Sequence, residues 1–70
     1  MKIELRPMWE GVNNRYYVIN AETEECMGTV RFCALANKIQ FIPREYKKYS
    51  AEELYCIARV VDEKAKELGC

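Results

Sequence analysis

One stretch of this sequence dictates what the rest must supply. Leu54, Ile57, Ala58, Val61, Ala65 and Leu68 recur at steps of three, one, three, four and three. At about 100° per residue, these steps confine all six to one apolar stripe of a helix. Ser50 is followed three residues later by Glu53, a capping box in which each side chain accepts from the other residue's backbone N–H. Gly69 supplies the left-handed residue that ends a helix. The spacing therefore predicts a helix over Ala51–Leu68, with Asp62 and Lys66, and Arg59 and Glu63, pairing at i, i+4 on its outer surface. A helix of about 18 residues spans about 27 Å. In a chain of 70 residues, which buries only about 60% of its unfolded surface, the stripe has one available platform: a sheet made from the residues before it.

Upstream the period is two. Ile3 and Leu5 alternate with Lys2, Glu4 and Arg6, and Pro7 marks an edge or the end of pairing. After a loop at Trp9 to Asn14, with a Gly and two Asn that suit turns, Tyr16, Tyr17, Val18 and Ile19 form a second strand. The charged tip Glu22-Thr23-Glu24-Glu25 turns the chain into a third strand that carries Val30 and Phe32. A tight turn at Asn37-Lys38 leads to a short fourth strand, Ile39 to Ile42, stopped by Pro43. The expected fold is α+β: a four-stranded antiparallel meander (ββββ) at about 2–8, 15–21, 26–35 and 38–42, with one C-terminal amphipathic helix on one sheet face. Residues 1–70 are expected to form one domain.

The side-chain inventory argues against catalysis. There is no His, one Ser (Ser50) and one Asp (Asp62), which removes Ser-His-Asp and Cys-His nucleophiles and the usual mixed His/Cys metal sites. Glu22, Glu24 and Glu25 sit at a hairpin tip open to water, where nothing raises a carboxyl pKa for acid catalysis. Gly11, Gly28 and Gly69 are too scattered for a phosphate loop. Cys26, Cys33, Cys56 and Cys70 contain no Cys-x-x-Cys knuckle, so they read as free thiols with Cys70 exposed, and neither metal nor cofactor is expected. The N-terminus has no stretch of signal-peptide length and the chain has no apolar span of about 20 residues, so a cytoplasmic protein without a membrane partner is expected.

Eleven basic residues balance eleven acids, leaving no overall field to draw in nucleic acid or membrane. The distribution is uneven: residues 51–70 hold five acids and three bases, and residues 1–50 carry the compensating positive excess. Alternation assigns Lys2, Glu4, Arg6, Tyr17, Ile19, Thr29, Arg31, Cys33, Lys38, Gln40 and Ile42 to the sheet face away from the helix. On that face Arg6, Tyr17, Ile19, Arg31, Gln40 and Ile42, with Trp9 in the nearby loop, are the candidate partner-binding residues. The same mixture of bases and apolar groups also serves a one-sided sheet simply to stay soluble. Arg44, Lys47 and Lys48 lie beside a helix N-terminus and form a candidate contact for an anion or nucleic acid. Alternatively Tyr46 or Tyr49 packs beneath the helix start and the lysines only solvate the loop. Cys56 and Val60 fall outside the apolar stripe at i, i+4, a candidate face for a homodimer, as is a sheet edge.

Two function classes remain. One is a small non-enzymatic protein that binds another protein as an adaptor, regulator or inhibitor; many such chains belong to phages and other mobile elements. The other is a DNA-binding module. In layout alone, a meander with one packed C-terminal helix resembles the integrase arm-type and plant ethylene-response DNA-binding domains, and the resemblance implies an open sheet entering the major groove. Those domains usually have three strands and are far more basic than this chain, and no sequence motif or residue carries over.

Overall fold

Four strands pair in chain order: β1 (Ile3–Pro7), β2 (Arg15–Asn20), β3 (Glu25–Cys33) and β4 (Lys38–Pro43), followed by the helix α1 (Ala51–Leu68). All three pairings are antiparallel, and α1 packs on one face of the open sheet. This computed structural model describes residues 1–11, 14–33 and 38–69. Val12 and Asn13 of the first loop, residues 34 and 35 of the expected third strand, the Asn37 turn and Cys70 lie outside the described residues.

The core follows the alternation. Ile3, Tyr16, Val18, Val30 and Phe32 are buried against Ile57, Val61 and Ala65 of the helix, and burying an Ile or Val side chain contributes about 1.5–3 kcal/mol. The Tyr16 and Phe32 rings meet edge to face at 5.8 Å. Both helix ends are closed locally. Ser50 Oγ accepts from the Glu53 N–H at 3.1 Å, and Glu53 Oε1 accepts from the Ser50 N–H at 2.9 Å. Gly69, at φ 80°, donates its N–H to the carbonyls of Ala65 and Lys66. Of the two expected surface pairs Asp62–Lys66 forms, at 3.1 Å, whereas Arg59 and Glu63 form no ion pair among the described residues and a Lys64–Glu67 pair at 3.2 Å appears beside them.

The β2–β3 ladder contains a bulge that simple alternation does not foresee. Val18 pairs with Gly28, but Ile19 pairs with Cys26, so Met27 is an extra residue. Met27 turns into the core and is fully buried, while Cys26 falls on the opposite face. Gly28 makes this geometry possible: its φ is 143°, and a Cβ there would lie 2.5 Å from the Ile42 carbonyl oxygen.

The helix is also turned relative to the expected stripe. Cys56 and Val60, placed on the outer surface by the sequence reading, are half-buried and packed against the core, whereas Leu54 is 50% exposed. The physical reason is where α1 sits. It lies closest to β1, where Val60 and Leu5 line one groove, and this position leaves the β4 flank thinly covered. Ile39, whose alternation with Lys38 and Gln40 puts it on the helix side of the sheet, is consequently exposed.

Candidate functional site

The register fixes the face that α1 leaves bare as a set of cross-strand rows. Arg6, Tyr17, Thr29 and Ile42 form one row through all four strands. Arg15, Arg31 and Gln40 form the next, and Cys33 with Lys38 a third. Tyr17 is 39% and Ile42 52% exposed, and Arg31 and Gln40 are exposed as well. Trp9, 53% exposed in the loop after β1, has its ring 6.0 Å from the Arg15 guanidinium. Between these rows lies a shallow depression of about 200 Å³ lined by Met8, Arg15, Thr29, Val30, Arg31, Gln40 and Ile42. Five of the expected residues, Trp9, Tyr17, Arg31, Gln40 and Ile42, are thus exposed on or beside one face.

Two members of the set behave differently. Arg6 donates from Nη2 to Glu24 at 2.7 Å and from Nε to Glu4 at 3.4 Å. Those bonds, Glu24 first and Glu4 second, hold its guanidinium pKa above the ordinary value, and its charge is matched inside the molecule. Ile19 stands between Glu4 and Cys26 of the neighbouring strands. Ile19 is only 8% exposed. By register Ile19 belongs to this face, but its burial leaves it little surface to offer a partner.

Arg15 is the residue that sequence reasoning missed, although its parity with Tyr17 and Ile19 puts it on the same face. It stands directly opposite Arg31, and neither forms an ion pair among the described residues. Like charges directly opposite in a ladder are destabilising.

The loop after β4 is arranged for a structural role. Tyr49 donates its hydroxyl proton to the Met27 carbonyl and lies edge to face on Phe41 at 6.3 Å. Arg44 donates its backbone N–H to the Tyr49 hydroxyl and its side chain to the Cys26 carbonyl. Lys47 bonds Glu25 at 2.9 Å and lies 3.9 Å from Glu53, which raises its pKa, with the Glu25 hydrogen bond the largest cause. The helix N-terminus is occupied by its own capping box. The candidate anion contact at Arg44, Lys47 and Lys48 therefore has two of its three cations committed internally. Tyr46 projects from this loop, 94% exposed and at φ 64°. Cys56 and Val60 of the candidate dimer face are half-buried and pack against the core of their own chain, which reduces the apolar surface they present outward.

Cys26, Cys33 and Cys56 carry free thiols, Cys33 exposed. Among the described residues no three His, Cys, Asp or Glu side chains come together as a metal cluster, and no helix is long and apolar enough to cross a membrane. Comparison with family models, with curated proteins and with solved structures finds no match to this chain.

Proposed function

We propose that this chain is a small non-enzymatic binding protein that acts through protein–protein contact, as an adaptor, regulator or inhibitor, and that its contact surface is the bare sheet face. The observation that carries this reading is the clustering of exposed Trp9, Tyr17 and Ile42 around Arg15, Arg31 and Gln40. Trp, Tyr and Arg are the side chains most enriched where binding energy concentrates at protein interfaces. Their rigid backing is the core beneath, so little order has to be created on binding. An exposed thiol at Cys33 suits a reducing, cytoplasmic setting.

Affinity capture from the source cell tests the reading. One protein is expected in stoichiometric amount, and folded Trp9→Ala and Tyr17→Ala variants are expected to lose it. Capture that ignores both substitutions contradicts the choice of face.

A second reading, duplex DNA on the same face, is favoured by one observation: Arg15, Arg31 and Lys38 have no acidic partner among the described residues. A mobility shift that is present at about 50 mM salt, collapses by about 200 mM and is abolished by Arg31→Glu would select it. The absence of a shift at low salt removes it.

A further inference from the structure

We propose that Arg15 and Arg31 together form a receiving site for a carboxylate on an acidic segment of the partner protein. This deepens the bare-face reading above and rests on it. The first argument is electrostatic. Arg6 on the same face is matched by Glu4 and Glu24 of its own chain, whereas Arg15 and Arg31, like Lys2, Lys38, Arg44, Lys48 and Arg59, enter no ion pair among the described residues. What sets Arg15 and Arg31 apart is that they stand directly opposite each other in the β2–β3 register, where like charges are unfavourable and a bound anion would relieve the repulsion.

The second argument is geometric. Arg15 and Arg31 both line a depression that Met8, Ile42, Gln40 and Thr29 also line. Apolar walls thin the water around the charges and strengthen attraction for an anion. A guanidinium fork matches a carboxylate with two parallel hydrogen bonds. Trp9 beside Arg15 steadies one fork by a cation–π contact. Gln40 and Thr29 supply additional donors within the same concavity, and Met8, Tyr17 and Ile42 offer apolar surface for the residues flanking the acid.

An acidic protein segment fits this site better than duplex DNA. Affinity for a phosphate backbone grows with the number of phosphates neutralised, and Arg6, the other arginine on this face, is already spoken for by Glu24 and Glu4. The apolar side chains bordering the arginine pair would meet phosphates and sugars with little gain, but they match the side chains of a peptide.

The sequence contains one Trp, so Trp9 fluorescence reports on the site directly. The probes are a short peptide of alternating Glu and Leu, the same peptide with Lys for Glu, and a short DNA duplex, each also titrated calorimetrically so that a silent Trp9 does not hide binding. The Glu peptide is expected to bind saturably and to weaken with added salt. Its affinity is expected to fall about tenfold or more in Arg15→Gln and in Arg31→Gln, both of which keep the wild-type circular dichroism. Failure of the Glu peptide to bind, equal binding of the Lys peptide, indifference to both substitutions, or tighter binding of the duplex each overturns the carboxylate site. The two levels separate in the capture experiment. A partner lost with Tyr17→Ala but fully retained by both arginine variants overturns this inference and leaves the bare-face reading intact, and a partner retained by all the variants overturns both.

Discussion

Arg15 of β2 stands directly opposite Arg31 of β3, two cations without an ion pair among the described residues, in one row of a ladder on the face that the helix leaves bare. A stability price follows from this register. Replacing one of the pair with an acid turns repulsion into attraction, so Arg31→Glu is expected to stabilise the fold by about 0.5 kcal/mol at low salt. In a domain of this size that raises the thermal midpoint by roughly 2–4 °C. The gain should shrink as salt screens it. A lower midpoint in Arg31→Glu would mean that Arg31 has a stabilising partner.

Gly28 is fixed by two independent constraints, its φ of 143° and the Ile42 carbonyl oxygen 2.5 Å from where a Cβ would sit. Gly28→Ala is therefore expected to cost about 2–4 kcal/mol, from backbone strain plus displacement of β4. Urea unfolding measures it, and a loss below about 0.5 kcal/mol would show that the bulge can be absorbed elsewhere.

The seating of α1 on β1 gives a paired expectation. Val60 is half-buried and lines one groove with Leu5, while Leu54 is half exposed. Val60→Ala should cost about 1–2 kcal/mol and Leu54→Ala under about 1 kcal/mol, because only the first removes methyl groups from a packed seam. The reverse order of midpoints would restore the stripe that the sequence spacing suggests.

Much of this fold is legible in the sequence wherever the determinants are local. Ser50, Glu53 and Gly69 mark the helix ends because caps are satisfied within a few residues. Ile3, Tyr16, Val18, Val30 and Phe32 declare the core face because a strand has a strict period of two. What depends on how elements meet is harder to read. Met27 enters the core through an offset between β2 and β3 to which only Gly28, a glycine inside a strand, gives a hint. The exchange of Leu54 for Cys56 and Val60 at the helix seam is decided by where α1 lands on the sheet, and no spacing within the helix encodes that. Of the site, Trp9, Tyr17, Arg31, Gln40 and Ile42 follow from alternation and loop position. The loss of Arg6 to an internal bond follows from Glu24, eighteen residues away in the chain, and the burial of Ile19 is not visible in its parity.

Tyr46 holds a left-handed φ of 64° with its side chain almost wholly in water. That conformation costs a non-glycine residue about 1–2 kcal/mol, of which the greater unfolded freedom of glycine takes back about 0.5–1 kcal/mol. Tyr46→Gly is accordingly expected to stabilise the chain by about 0.5 kcal/mol in urea unfolding. A clear loss would reveal a contact made by the ring.

The capping box carries a pH signature. The Ser50 backbone N–H bonded to Glu53 is the main cause that lowers the Glu53 pKa from its ordinary 4.5, and the Ser50 side chain and Lys47 also lower it. A carboxylate held below its unfolded value contributes stability that is fully present above that value and is lost as pH falls through the folded one. Helix stability should therefore decline below about pH 4.5, and Glu53→Gln should flatten part of that decline. An unchanged acid limb in Glu53→Gln would assign the loss to other carboxylates.

The most direct test of the bare face as the binding surface is an amide spectrum of the labelled protein recorded as the captured partner is added. The expected result is a set of shifts confined to Met8, Trp9, Arg15, Tyr17, Thr29, Arg31, Gln40 and Ile42, with the outer surface of α1 unmoved. Shifts that instead follow Tyr55, Arg59 and Asp62 along the helix, or that gather only around Tyr46, would contradict it.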